Sequence, residues 1–209
     1  MEEYITIRQP AEVEIIIKKS RFIGRLFPVA DFEEAQTILE RIKKQHWDAT
    51  HNCSAMIIGP RGEFTRCSDD GEPQGTAGVP MLEALKHSGM TGVLAIVTRY
   101  FGGILLGAGG LVRAYTQGVA QAVEAAQKVL VKPFTVMAAE LPFRLWGKAE
   151  SQLLSAGCRI KSVDYTACVQ VQLFVQPGRE DHVNKVLAEL SSGSVIARPV
   201  GQETIDIKL

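Results

Sequence analysis

Nothing in this sequence leans toward one sign of charge. Its 23 basic and 23 acidic residues cancel over the chain, and they cancel again in each half when it is divided at Pro133. A basic domain or an acidic tail is thereby excluded, so nucleic acid would have to be met by a local patch and not by a general positive field. Also lacking is an apolar run of the ~18 residues that a membrane span requires. The opening MEEYITIRQP has no basic-then-apolar secretory pattern. These absences predict a cytoplasmic protein with no membrane partner. The four cysteines, Cys53, Cys67, Cys158 and Cys168, make no CxxC pair and no metal-type spacing with histidine, which fits reduced thiols. His51, Cys53 and Cys67 offer three ligands where structural zinc takes four. Nucleotide fingerprints are missing too. No Lys-Ser/Thr pair follows the last glycine of the one glycine-rich loop, and Val112 stands where a dinucleotide motif needs glycine. No cofactor is implied. His46, His51, His87 and His182 are scattered, with no recognisable nucleophile–base pair.

What the chain does have is glycine concentrated in one place. In TRYFGGILLGAGGLVRAYT (Thr98–Thr116), Gly102, Gly103, Gly107, Gly109 and Gly110 fall within nine residues. They lie between an apolar run ending at Val97 and an amphipathic segment beginning near Leu111. Each glycine loses roughly 0.5–1 kcal/mol more than alanine on folding, so the loop must need positive φ angles or a close approach. The order apolar strand, glycine loop, helix offers backbone N–H groups to an anion. Arg99 and Arg113 flank it and would add guanidinium forks to a phosphate or carboxylate. Arg113 in the first helical turn is mildly unfavourable against the helix dipole unless an anion sits there. The competing reading makes the glycines packing residues and pairs the arginines with Asp69, Asp70 or Glu72. Those three acids stand in SDDGEPQGTAGVP (Ser68–Pro80), a loop that reads as a magnesium site or as a rigid turn.

The remaining elements follow in order. Glu12–Lys19 and Arg21–Val29 alternate as two strands joined by a KKS turn. Lys18, Lys19, Arg21 and Arg25 form the densest basic cluster, read either as a solvated turn or as nucleic-acid contacts. Asp31 and Glu34 predict a capping box for a helix with Phe32, Ala35, Ile38, Leu39 and Ile42 on one face. Ala49–Ile58 and Glu63–Cys67 read as a hairpin, Pro80 opens a helix stopped by Gly89, and VLAIV before Thr98 has the length of a fully buried strand. The helix after the glycine loop gathers Leu111, Val112, Tyr115, Val119, Ala122, Val123 and Ala126 on one face. VLVKPF around Pro133 reads as a linker between domains 1–132 and 133–209. Beyond it come a strand to Phe143, a helix stopped by Gly157, two strands turning near Tyr165, a helix from Arg179 and a last strand broken at Gly201. That βαββαβ order predicts a ferredoxin-like sandwich. Its sheet could stack RNA bases only on Tyr165 and Phe174, the few aromatics of those strands.

Three segments taken together, KKSRFIG (Lys18–Gly24), SDDGEPQGTAGVPML (Ser68–Leu82) and TRYFGGILLGAGGLVRAYT, closely resemble the signatures of the IMPACT family, in its bacterial YigZ-type branch. The resemblance implies an α+β protein of two domains. The N-terminal one is an α/β sandwich like a domain of a small-subunit ribosomal protein, and the C-terminal one is ferredoxin-like. It also implies a role in translation regulation under nutrient stress, as in eukaryotic members, and nucleic-acid binding. The leading expectation is a non-enzymatic regulator. It would bind RNA, the ribosome or a translation-regulatory protein through the glycine loop, Arg99 and Arg113, helped by Lys18, Lys19 and Arg21. The alternative is an enzyme or sensor for a phosphorylated or carboxylated metabolite, with Asp69, Asp70 or Glu72 holding a metal. Oligomeric state does not follow from the sequence.

Overall fold

The computed structural model describes residues 2–209 in two compact units, Glu2–Val131 with Asp206–Leu209, and Lys132–Ile205. The first contains β1 (Tyr4–Ile7), β2 (Ala11–Ile17), β3 (Ser20–Pro28), α1 (Phe32–Gln45), β4 (His51–Ile58), β5 (Phe64–Ser68), α2 (Gly78–His87), β6 (Val93–Tyr100) and α3 (Ala108–Ala125). Its sheet runs β2-β3-β6-β4-β5, and every neighbour is antiparallel. The central strand β6 explains the unbroken run VLAIV. Val93, Ala95 and Val97 point into a core shared with α2 and α3, while Leu94 and Ile96 point into a second core shared with α1. All five are fully buried, each worth about 1.5–3 kcal/mol for the larger side chains.

Local signals place the helices on this sheet. Asp31 accepts from the Glu34 amide at 2.9 Å and Glu34 accepts from the Ala30 amide at 2.8 Å, closing the N-terminus of α1 as a capping box does. Helix α3 starts three residues earlier than its apolar face suggests, and that face is Leu111, Ala114, Tyr115, Gly118, Val119 and Ala122. Val112 is exposed, a correction to the sequence reading. Here α3 comes so close to β3 that a Cβ on Gly24 would overlap the Gly118 carbonyl, so it is the strand position that requires glycine.

The second unit is built on most of β7 (Lys128–Leu141), α4 (Phe143–Ser155), β8 (Arg159–Tyr165), β9 (Val169–Val175), α5 (Glu180–Ser191) and most of β10 (Arg198–Lys208), residues 128–131 and 206–208 of the two strands belonging to the first. The strand order β10-β7-β9-β8 is that of the ferredoxin-like βαββαβ sandwich. Trp146, Ala149 and Leu153 of α4 and Val183 and Leu187 of α5 pack on Met137, Ala139, Val171 and Leu173. The expected linker VLVKPF is instead part of β7. Val129 and Val131 are buried in alternation, and Pro133, which has no N–H to donate, falls between the residues paired with β1 (128–131) and those paired with β9 (135–141). Strand β10 runs unbroken through Gly201.

The helix–sheet contact is asymmetric. Gly24→Ala should lower stability in urea unfolding by about 1–3 kcal/mol, as overpacking against backbone does. A Cβ at Gly118 meets only Val97 methyls, at 3.6 Å, and Gly118→Ala should be neutral or slightly stabilising through helix propensity.

Candidate functional site

Antiparallel register brings four connections to one end of the first sheet. Arg21 lies opposite Tyr100, His51 opposite Arg99 and Ser54 opposite Ser68. The β2–β3 turn, the α1–β4 connection, the acidic loop after β5 and the glycine loop after β6 therefore share that end. The glycines there have separate reasons. Gly102 runs directly against the backbone of Lys19 and Ser20, where any Cβ would overlap it, and Gly103 and Gly107 have positive φ angles of 83° and 71°. Gly109 and Gly110 lie within the first turn of α3.

Beneath the loops is a buried polar cluster. Arg99 Nη1 donates to Glu72 Oε1 at 2.6 Å, the Tyr115 hydroxyl donates to the same oxygen at 2.7 Å, and His51 Nε2 stands 3.8 Å from Glu72 Oε2. The guanidinium lies 5.4 Å from the Phe22 ring centre and 5.5 Å from that of Phe101. Its Nε has no hydrogen-bond partner among the described residues, and these two π faces are what it meets in place of one. Burial pushes the Cys53 thiol up to about 12 and raises the Tyr115 hydroxyl. Neither is a nucleophile at neutral pH. Arg99 thus takes the ion-paired position that was the alternative to ligand binding, whereas Arg113 is exposed, its Nε returning to the Gly109 carbonyl at 3.2 Å.

The other two acids of the loop have different partners. Asp69 accepts from the amides of Gly75, Ala77 and Gly78 at 2.7–3.0 Å. It supplies the negative charge that the N-terminus of α2 favours. Burial alone would raise its carboxyl, and the three donors more than reverse this, holding it below the usual range. Asp70, at φ 45°, pairs with Lys43 and accepts from the Asn52 amide at 2.7 Å. Asp69, Asp70 and Glu72 do not converge, and among the described residues no group of three or more His, Cys, Asp or Glu is disposed to hold a metal.

The outer rim carries charge and aromatic surface. Lys18 and Lys19 are the two central residues of a tight turn, with φ angles of 46° and 66°. Such a type I′ turn ordinarily selects Asn-Gly, so two lysines are held there under strain. Neither has an ion-pair partner among the described residues, whereas Arg21 pairs with Glu14 at 2.9 Å and Arg25 with Glu12 at 2.5 Å. Next to the turn, Arg21 lies over the Tyr100 ring at 5.2 Å. Tyr100 belongs to a chain of hydrogen bonds: Arg25 Nη2 donates to His46 Nε2 at 2.7 Å, His46 Nδ1 donates to the Tyr100 hydroxyl at 2.8 Å, and that hydroxyl donates to Asp48 at 3.3 Å. The chain fixes the loop that displays Trp47, which is 82% exposed. Sequence reasoning passed over Trp47. Its signal was a tryptophan in the polar connection QHWDAT between helix and strand.

Comparison with known proteins bears on this arrangement. Residues 18–123, which hold all four connections, match the model of the Impact N-terminal domain, and residues 140–194 match a domain of unknown function, DUF1949. IMPACT family member YvyE of Bacillus subtilis is 42% identical over 193 residues, covering 92% of this chain and 89% of its own. The chain belongs to the IMPACT family. IMPACT family member YigZ of Escherichia coli is 36% identical, covering 93% of this chain and 97% of its own. Protein IMPACT of Mus musculus is 33% identical over 100 residues, or 46% of this chain and 31% of its own. A crystal structure described only as that of a hypothetical protein shares 36% identity with this IMPACT family chain, covers 96% of it and 98% of its own, and has a TM-score of 0.62. No helix among the described residues is long and apolar enough to cross a membrane.

Two measurements probe the site. Glu72→Ala leaves the buried Arg99 guanidinium uncompensated and should lower unfolding free energy by about 3–5 kcal/mol. His46 is held below its ordinary value by burial and then by Arg25. The unfolded chain therefore takes up a proton first as pH falls below about 6.5, and stability is lost from there down to the folded-state value. Urea midpoints measured between pH 7.5 and 5 should fall less steeply for His46→Gln than for wild type.

Proposed function

We propose that this IMPACT family chain is a non-enzymatic regulator associated with translation that binds RNA at the loop-bearing end of its first unit. The observation that carries this reading is the contact of Gly102 with the Lys19–Ser20 backbone. It sets a strained turn with two lysines free of ion pairs against the exposed glycine loop. Backbone strain of about 1–3 kcal/mol per non-glycine residue in this conformation persists only where the surrounding structure over-determines it, and residues so held cluster at functional sites. Two adjacent ammonium groups are suited to neighbouring phosphates. Support comes also from α3, whose 18 residues run from Ala108 behind the N-cap Gly107, which supplies no side-chain cap. Ala108, Gly109 and Arg113 in its first turns are exposed, an arrangement that favours a phosphate at a helix start. The N-terminus of α2, by contrast, is already occupied by Asp69.

In this reading Arg99 positions the site instead of touching RNA. It holds the glycine loop down through Ser20, whose hydroxyl accepts from Arg99 Nη2 at 3.5 Å and from the Gly102 amide at 3.2 Å. Against the metal-dependent alternative weighs the fact that each of the three carboxylates has its own protein partner.

Replacing the turn by its preferred residues separates architecture from binding. Lys18→Asn with Lys19→Gly should raise unfolding free energy by about 1–2 kcal/mol by removing strain. The same variant should weaken binding to total ribosomal RNA in a low-salt filter assay. It should also shrink the slope of log affinity against log salt by roughly 1.4–1.8, at ~0.7–0.9 for each phosphate no longer neutralised. Unchanged affinity in the stabilised variant would overturn the assignment.

A further inference from the structure

From the display of Trp47 we infer that this site takes single-stranded RNA, with the Trp47 indole as the platform on which a base stacks. The inference rests on the RNA reading above and specifies which form of RNA is bound. A tryptophan as exposed as Trp47 forgoes the burial that its indole normally finds, and here the exposure comes from a loop that is anchored on several sides. His46 is bonded to Arg25 and Tyr100, the Asn52 side chain donates to the His46 carbonyl at 3.4 Å, and the Thr50 amide donates to the Arg99 carbonyl at 2.9 Å. The platform is therefore held in place before anything binds.

The loop is also fastened to the glycine loop, because the Phe101 amide donates to the Thr50 hydroxyl at 3.0 Å. Trp47 precedes Thr50 by three residues, so their Cα atoms are at most about 10 Å apart. Phe101 is itself 46% exposed, which puts a second aromatic surface at the same end. Lys18 and Lys19 across the Gly102 contact, and Lys44 on the last turn of α1, have no ion-pair partner among the described residues. Aromatic faces at the same end as such cations match a strand with accessible bases and a charged backbone. A duplex keeps its bases stacked on one another and would offer the indole nothing.

The test uses the full chain and a labelled oligoadenylate of about twelve nucleotides, within the ~4–16 nucleotide footprint of one such module. A hairpin duplex of similar length serves as control. Trp47 and Trp146 are the two tryptophans, and Trp146 is buried in the second unit, so solvent-exposed emission reports Trp47. Titration with oligoadenylate in low salt should quench that emission. Trp47→Ala should bind the oligomer about tenfold more weakly with an unchanged salt slope, Trp47→Phe should recover most of the affinity, and the duplex should bind less well than the single strand. Wild-type affinity in Trp47→Ala, equal affinity for the duplex, or emission that changes with protein concentration alone, as self-association would cause, overturns the stacking role. If that role fails while the Lys18→Asn, Lys19→Gly variant still loses RNA, phosphate binding stands without it. If neither RNA form binds wild type, the RNA reading falls and takes the stacking with it.

Discussion

The buried pair of Glu72 with Arg99 is the interaction on which the loop-bearing end depends. Glu72 belongs to the acidic loop, Arg99 to the end of β6, and Tyr115, which shares the carboxylate oxygen, to α3. One carboxylate thus ties together three elements that the sheet's own hydrogen bonds do not join. Desolvating two such charges costs several kcal/mol each, and only close geometry with further hydrogen bonds repays it. The cluster meets that condition at Glu72, whose carboxylate takes two short donors. It falls short at Arg99 Nε, which has no hydrogen-bond partner while its guanidinium lies over two aromatic rings. An apolar substitute would be the more stable solution by the same reasoning. The charged one fixes a single arrangement of the acidic loop over β6, and with it the course of the glycine loop that follows Arg99.

Placement of charge then divides sharply between the inside and the rim. Arg25 is buried and bound to Glu12, Thr98 and His46, and Arg21 is neutralised across the strand by Glu14. The cluster that looks densest in sequence therefore presents two unpaired cations at the turn, not four, since Arg21 is exposed but ion-paired. A small number of free charges is enough for a local patch on a chain of zero net charge, since screening confines their influence to about 8–10 Å at ordinary ionic strength. Lys18 and Lys19 lie adjacent in sequence and so act within that distance.

Much of this was legible beforehand, and the residues show why the rest was not. Asp31 and Glu34 announced α1, VLAIV announced a central strand, and the βαββαβ order announced the second unit, because each signal lies within a few residues of what it specifies. VLVKPF misled because Pro133 is a strong breaker locally, and only the switch of pairing partners along β7 makes room for it. Val112 misled because a helical wheel cannot say how wide the buried stripe is, and here it ends at Leu111 on one side. At the site, the glycine loop and the acidic loop were both visible as segments. That Glu72 and not Asp69 or Asp70 meets Arg99 was not visible, since the choice depends on Asp69 being taken up by the amides of α2 and Asp70 by Lys43.

The second unit shows how little its fold decides by itself. A four-stranded βαββαβ sheet can read RNA when aromatic residues stand on the open face of its central strands. Here burial of Met137, Ala139, Val171 and Leu173 against the helices leaves Ala138, Glu140, Gln170 and Gln172 on the other face. Glu140 and Asp164 line a groove of about 740 Å³ there, together with Arg198. Phe174 is covered by Phe134 and Lys161, and Tyr165 stacks on Phe143 at 6.4 Å. Two carboxylates and two amides on that face repel a phosphate backbone more than they attract it and offer no plane for a base. Because function follows the site and not the fold, the RNA reading attaches to the first unit. There Lys18, Lys19 and the start of α3 supply positive charge, and Trp47 and Phe101 supply the faces.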